Sequence, residues 1–395
     1  MDFSLTESQE MIRRTARDFV ERECPIEVAK ELNKSETGFS ADVWHFEQDN
    51  SKAGFSPDIW RKMAELGWVG MILPEAYGGR GSDFLDLAII CQELGWAAMP
   101  SPLISSGVLC GLTILEGGTE QQKQQLLPSI AKGERILALA LTEQDYGWGP
   151  ESVQLTASAR DGKFVLNGTK LYIPDAHIAD QLLCVARTRQ SRDPQEGITL
   201  FLVDRQSPGL SCHNMAGFVG DRQNAVVFDS VEVDRSAVIG ELDRGWSALA
   251  PAIEKASVIL CAYMVGGCQR VWEMTVEYCN TRKQFGVAIG TFQRVQDLII
   301  EVVNALDAAR WTTYEALWKI DEQRADVSQA VTLAKIVSSE GYRKACTSSS
   351  QAHGGMGVVK DYPLYLYIKK SRSLYHYLGS PLSLRKSMAQ LLFED

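Results

Sequence analysis

The period of the hydrophobic pattern changes twice along this chain, and those two changes limit the fold more than any other feature. Residues 1–135 repeat apolar side chains at helical spacing. Thr6-Glu7-Ser8-Gln9 has the form of a capping box, Ile12, Ala16, Phe19 and Val20 follow along one helical face, and Pro25 ends the run. The same spacing returns at about 57–67, 84–96 and 119–131. From 136 to 245 the pattern shortens to β-rich runs, ILALALT, FVLNGTKLYI, QLLCVART, ITLFLVD and AVVFDSVEV, separated by Asp-Gly, Asn-Gly and Pro-Gly turn signals. No helical pattern lies between these runs, so the spacing predicts a barrel or sandwich rather than an alternating βα sheet. Helical periodicity resumes over about 246–281, 292–321 and 326–350, followed by two shorter segments, which predicts a four-helix bundle. The expectation is an α+β chain in three parts: an N-terminal α-helical domain (1–135), a middle β domain (136–245) and a C-terminal helical bundle (246–395).

The 395 residues are enough for such a division and for a sizeable core. A net charge of -10 argues against nucleic acid as a partner. The nine Cys are scattered, odd in number and without a CxxC pair, which fits reduced thiols in a cytoplasmic protein better than a disulfide framework or a zinc site. The N-terminus lacks the basic-then-apolar form of a signal peptide, and no apolar run reaches the roughly 18 residues of a membrane span. Gly38-Phe39-Ser40-Ala41-Asp42-Val43-Trp44 is echoed by Gly54-Phe55-Ser56-Pro57-Asp58-Ile59-Trp60, either a local duplication forming an inserted surface segment or a chance repeat. No GxGxxG follows a strand, there is no P-loop, HExxH or GxSxG, and the five His show no ligand spacing. Rossmann-type nucleotide binding, metal catalysis and triad hydrolysis are therefore disfavoured.

Five strings, in order, carry a resemblance that covers almost the whole chain. They are LTESQEMIRRTARDFVERE at the start, LPEAYGG at 73–79, LALTE at 139–143 with Asn167-Gly168-Thr169-Lys170, Arg282-Lys283-Gln284-Phe285-Gly286 with Gln293, and Gln351-Ala352-His353-Gly354-Gly355-Met356-Gly357. The chain resembles the acyl-CoA dehydrogenases. The resemblance implies FAD as cofactor, an acyl-CoA substrate, an electron-transfer flavoprotein as electron acceptor, and removal of the hydrogens α and β to a thioester. It gives Thr142 to the pyrimidine edge of the flavin and places Tyr172 where a Trp usually packs on the ring. Arg282 matches the residue that pairs with the pyrophosphate of a neighbouring subunit's cofactor, a partner that suits a guanidinium fork. Phe285 and Gln293 belong to the same region. Gln351, Gly354 and Gly355 match the glycine turn near the neighbour's FAD, where absent side chains let backbone approach a ligand.

The departures are as specific as the matches. In the family the α-proton is taken by a Glu that directly precedes a Gly-Thr or Gly-Ser pair near the C-terminus, and Leu378, before Gly379-Ser380, occupies that place. The alternative position on the first bundle helix falls at Ala256, and Glu254, two residues away, is rotated by about 200° on a helix. A third position, in the stretch 99–106, contains no acid. The catalytic base is thus unassigned, with Tyr377, His376 and Glu254 as the candidates. Pro174 replaces the threonine that bonds flavin N5, Trp148 replaces a serine in the turn after Thr142-Glu143, and Ser257 stands where many relatives have an arginine near the CoA chain. The Tyr362–Lys370 tail resembles a subclass lacking the usual Glu, some of whose members join a Glu-bearing relative in a heterotetramer. The resemblance thus implies an FAD-dependent acyl-CoA dehydrogenase or the non-catalytic subunit of a heteromeric one. A flavin monooxygenase or oxidase of the same fold, and a flavin-free structural or acyl-CoA-binding subunit, remain alternatives.

Overall fold

The computed structural model describes residues 4–33, 56–215 and 223–393. The echo at 38–44 and 54–60 falls largely outside them; its last residues open a helix capped by the Ser56 hydroxyl, which accepts from Ile59 N–H. The helices before the sheet are α1 (Glu7–Glu23), α2 (Ile26–Leu32), α3 (Pro57–Glu65), α4 (Phe84–Trp96), α5 (Gly111–Gly117) and α6 (Glu120–Ala131). The strands are β1 (Leu137–Ala140), β2 (Thr156–Arg160), β3 (Lys163–Pro174), β4 (Gln181–Arg187), β5 (Ile198–Asp204), β6 (Leu210–Met215), β7 (Gln223–Asp234) and β8 (Val238–Ile239). Then come α7 (Trp246–Thr281), a two-stranded hairpin of β9 (Lys283–Gln284) and β10 (Val287–Ala288), α8 (Gln293–Asp321), α9 (Val327–His353), α10 (Pro363–Ser373) and α11 (Pro381–Phe393). The helix, sheet, helix order is as the periodicity predicts, and the capping box at Thr6 is present in both directions with Gln9.

The chain divides into two compact units. The first comprises Met1–Lys34, Asp83–Pro100 and Ser257–Asp395. Within it α1 packs on α4, α4 on α8, α8 on α9, and both α10 and α11 on α9. α4 meets α7 where two glycines remove side chains: a Cβ on Gly266 would lie 1.8 Å from the Gln92 carbonyl oxygen. Trp96 is stacked by two guanidinium groups, Arg17 at 3.8 Å and Arg270 at 4.6 Å from its ring centroid, and its Nε1 donates to Glu273 at 2.7 Å. The Asp321 carboxylate receives the N–H groups of Phe84 (2.9 Å) and Leu85 (3.2 Å) at the start of α4, and burial outweighs those bonds, pushing its pKa up to about 6.

The expectation that no segment has the length and composition of a membrane span needs one correction. α7 passes that test, because Val, Ile, Leu, Met, Cys and Ala crowd its middle. Since 72% of that window is buried inside the protein, the composition is that of a core helix, apolar all round.

The second unit comprises Ser35–Ser82 and Ser101–Ala256. Its sheet runs β6-β7-β3-β2-β4-β5-β8, with β1 added parallel to β4. The interior is lined by Ala140, Leu166, Leu182, Phe201, Val226 and Phe228, among others, and Phe164 and Phe201 meet with centroids 5.1 Å apart. The β-rich runs named above omit β2, β6 and the two-residue β8. β2 (Thr-Ala-Ser-Ala-Arg) buries one residue and β6 carries Ser, His and Asn, so neither has the apolar alternation that marks a strand. The stretch 99–106 is likewise not a simple loop: Leu103–Cys110 winds as a π-helix directly into α5 and packs on β1.

Candidate functional site

In the sheet unit the site residues gather around the middle of β3. Lys170 is fully buried, and its Nζ donates to the Leu141 carbonyl (2.9 Å) and to Glu143 Oε1 (2.7 Å). The same Glu143 oxygen accepts the N–H groups of Gln154 and Leu155, each at 2.9 Å, so one carboxylate closes the 143–155 loop. Burial pulls the Lys170 pKa down, opposed by the neighbouring Cys184 and Glu143. Thr142 lies between these anchors and is itself locked to β3: Leu171 N–H donates to its carbonyl at 2.8 Å, and its hydroxyl donates to the Leu171 carbonyl at 2.5 Å. The hydroxyl proton is thereby committed, and the oxygen lone pairs are what Thr142 offers to a further donor.

The register of β3 against β7 shifts between Lys170 and Ile173, and Tyr172 occupies that bulge with φ +60°. Bulges re-aim side chains, and positive φ in a bulky residue stores strain that clusters at functional positions. Tyr146, also at positive φ, sets its ring edge-on to Tyr172 (centroids 4.9 Å apart) and to Trp148 (6.3 Å). The unexpected Trp148 is therefore joined to Tyr172 through one aromatic chain. Arg187 fixes the loop beyond it by donating to four carbonyls, those of Pro150, Val153, Pro194 and Glu196. Pro174 ends β3, and Asp175, with φ +60°, accepts a short hydrogen bond from the Ser105 hydroxyl. Ala256 is wholly buried, whereas Glu254 is half-buried.

In the helical unit a second set collects at one end of the bundle. Arg282 follows the last residue of α7, and the β9–β10 hairpin turns at Phe285-Gly286 with both φ values positive, +51° and +83°. Phe285 at its tip is 93% exposed. Tyr278, one turn before Arg282, stacks on His353 with centroids 4.3 Å apart and donates through its hydroxyl to the His353 carbonyl at 3.4 Å. This contact brings the end of α7 to the end of α9, where Gly354 takes φ +59°, ψ -133°, a conformation reserved for glycine. A Cβ on Gly354 or Gly355 would meet nothing within 4 Å among the described residues beyond its chain neighbours. Arg282, Gln293 and Gln351 are exposed, and their side chains bond no other described residue. His353 itself is buried; its Nδ1–H donates to the Ser349 carbonyl at 2.8 Å, and burial pulls its pKa down, keeping the ring neutral.

The turn that carries Leu378 forms a third element, between α10 and α11. Leu378 is 2% exposed and adopts φ +58°, followed by Gly379 at +108°. Gly379 N–H donates to the His376 carbonyl at 3.2 Å, while Leu378 N–H bonds no other described residue. Beneath the turn lies Lys335, 1% exposed, whose Nζ donates to Ser339 Oγ (2.8 Å) and to the Gly379 carbonyl (3.3 Å) and pairs with no carboxylate among the described residues. Burial brings its pKa down to about 8. Desolvation, and then the Lys335 charge, lower the pKa of His376 as well. Tyr377 is half-buried beside Leu378. Lys335 escapes a reading by motif; the signal for it is a cation among Ala334, Ile336, Ser338 and Ser339 on the buried face of a helix. No group of His, Cys, Asp and Glu among the described residues is arranged to hold a metal.

Three family models cover nearly the whole chain in the order of its elements: the acyl-CoA dehydrogenase N-terminal domain at residues 6–134, the middle domain at 138–231 and the C-terminal domain at 243–392. The chain belongs to the acyl-CoA dehydrogenase family. It is 31% identical to the 3-(aryl)acrylate reductase of Clostridium sporogenes, over 95% of this chain and 96% of that one. It is 29% identical to subunit CarC of the caffeyl-CoA reductase–Etf complex of Acetobacterium woodii, over 95% of each chain. Among solved structures, an FAD-dependent dehydrogenase superposes with a TM-score of 0.85 at 28% identity, over 99% of both chains. The chain is thus an acyl-CoA dehydrogenase-type oxidoreductase acting on CH–CH groups, with FAD as its cofactor.

The residues present fit that cofactor. The open glycine cradle at 354–355 and the uncommitted Arg282 leave room and charge for a phosphate-bearing group. The local departures are Pro174, which has neither a hydroxyl nor an N–H to give, and the bulky Trp148 in the turn after Glu143.

Proposed function

We propose that this chain is the subunit of a heteromeric acyl-CoA dehydrogenase that binds and polarises a thioester but does not deprotonate it. The observation that carries the reading is Leu378. An aliphatic side chain, buried and held at positive φ, fills the position of the family's carboxylate, yet the backbone N–H beside it bonds no other described residue. A backbone donor directed at a thioester oxygen stabilises the charge that develops when the α-proton leaves. The donor survives the change from Glu to Leu; the proton acceptor does not. The base has to come from elsewhere, and a Glu-bearing relative in the same complex supplies it in this reading.

FAD, when bound, supplies the hydride acceptor. Tyr172, turned out by its bulge, packs on the ring, and Thr142 meets the pyrimidine edge. Arg282, Phe285, Gln293, Gln351, Gly354 and Gly355 serve the cofactor of a second subunit. Their exposure, and the lack of hydrogen-bonding partners for the Arg282, Gln293 and Gln351 side chains among the described residues, support this assignment. Electrons leave to an electron-transfer flavoprotein, a partner supported by the similarity to a subunit of an Etf complex. The nine cysteines, all free thiols, fit a cytoplasmic setting.

Gentle affinity purification of the chain from its native host, with sequencing of what co-elutes in stoichiometric amount, tests the reading. A second acyl-CoA dehydrogenase chain carrying Glu before its Gly-Thr or Gly-Ser pair is the expected result. A homomer that turns over acyl-CoA at full rate would overturn it.

A further inference from the structure

Lys335 is a buried cation that neither the ion pairs nor the family match employs. It sits on α9 with Ser339 one turn away on its own helix, Cys261 of α7 beside it, and His376 and the Gly379 carbonyl above it in the 376–380 turn. Among the described residues its acceptors are one hydroxyl and one peptide oxygen. A buried amine kept without a carboxylate is costly, so its retention calls for a use. The Gly379 carbonyl belongs to the Gly379–Ser380 peptide, one residue beyond Leu378, and Leu378 and Gly379 both take φ values above +50°. Such a backbone persists when its surroundings over-determine it. Here the restraints include the Gly379 N–H bond to the His376 carbonyl and, from the helix below, the long amine of Lys335 on the Gly379 carbonyl.

We propose that Lys335 is the positioning residue of the thioester-polarising turn. Its bond to the Gly379 carbonyl holds the Leu378 peptide in the left-handed conformation, which leaves the Leu378 N–H free for the substrate's carbonyl oxygen. The inference rests on the polarising role assigned to that N–H. Lys335 acts through the backbone and touches no reacting atom. Removing its amine frees the turn to relax, and the N–H then loses its fixed direction. A charged amine bonds the carbonyl more strongly than a neutral one does. Its grip therefore weakens as pH rises through about 8, a range in which Cys261, raised to about 11, stays a thiol and His376, lowered, is already neutral.

The test reads polarisation rather than turnover. A straight-chain acyl-CoA, isotope-labelled at the thioester carbonyl, is bound to the FAD-loaded full-length chain, and its carbonyl stretch is recorded by infrared difference spectroscopy. In the native chain the band moves to lower frequency on binding, and in Lys335→Met at least half of that movement is lost while the flavin spectrum is unchanged. If Lys335→Met binds the thioester with the full band shift, Lys335 is core filling and the proposal falls alone. If the native chain itself shows no shift, the polarising role and the proposal fall together. Should Lys335→Met not fold, the native complex is followed from about pH 7 to about pH 9, a unit on either side of the amine's titration. Partial loss of the shift through that window supports the proposal, and a constant band overturns it.

Discussion

The sharpest structural prediction concerns the buried pair beneath Thr142. Replacing Lys170 by Met removes the donors that reach Leu141 O at 2.9 Å and Glu143 Oε1 at 2.7 Å, and it leaves a carboxylate that is 12% exposed without its ion-pair partner, the Arg187 charge acting on it only from beyond ion-pair distance. Breaking a buried pair from one side costs about 3–5 kcal/mol, a large share of the roughly 5–15 kcal/mol that holds a domain folded. Glu143→Gln is milder, about 1–2 kcal/mol, because its amide oxygen can still accept from Gln154 and Leu155. In the double variant no unpaired charge is left, so its cost falls short of the sum of the singles by at least about 1 kcal/mol. The assay is urea unfolding of all four proteins, reading shifts of the midpoint at constant slope. A Lys170→Met cost below about 1 kcal/mol, or singles that add within about 0.5 kcal/mol, would refute the claim that this pair anchors the 142–155 loop.

Arg282→Ala is expected to weaken flavin retention by more than about tenfold, the loss of one charge-assisted contact of about 1.5–3 kcal/mol, while leaving unfolding midpoints unchanged because the side chain is exposed; measured flavin occupancy equal to the parent removes Arg282 from the site. The exposed Arg282, Phe285 and Gln351 require a second subunit to act on, so light scattering at micromolar concentration should report a dimer or tetramer, and a clean monomer contradicts that. Burial raises Cys24, Cys184 and Cys346 to about 12 and Cys261 to about 11, above an unfolded value near 9. A raised folded pKa means that the stabilising contribution is complete below about pH 9 and is lost as pH climbs through 11 to 12. Lys335, lowered from 10.5 to about 8, and Lys170, also lowered by burial, work the other way, but four thiols outweigh two amines. Thermal midpoints should therefore fall steadily above about pH 9, and a flat alkaline profile would contradict the burial of these thiols.

The long elements were legible in the sequence because packing and periodicity agree there. α7 begins and ends at the expected residues, 246 and 281, and α8 and α9 depart from expectation by only a few. Elements that bury little, such as β2 and β6, left no pattern to read, and the π-helix at Leu103–Cys110 follows a Ser-Pro-rich stretch that reads as loop. At the site, the residue types were legible from the matched strings, but their conformations were not. Nothing in Leu171-Tyr172-Ile173 announces a bulge with φ +60°, since bulky residues are ordinarily excluded from that region. Thr142 reads as a free hydroxyl in the sequence, whereas its proton goes to the Leu171 carbonyl across the fold. Lys335 reads as one more helix lysine until its burial is known.

The central claim is that the chain binds FAD and an acyl-CoA but lacks the base because Leu378 fills its place. Anaerobic bleaching of the flavin by straight-chain acyl-CoAs tests it most directly, with the native homomer compared with Leu378→Glu and Leu378→Ala. A positioned base is worth about 10²–10⁴ in rate, so the native homomer should bleach poorly and Leu378→Glu at least about tenfold faster. The Lys335 amine under the same turn favours the ionised form of the new carboxylate, and the gain should grow as pH rises through that carboxylate's pKa. Brisk bleaching by the native homomer, retained in Leu378→Ala, would contradict the account and direct the search for the base to Tyr377, His376 and Glu254.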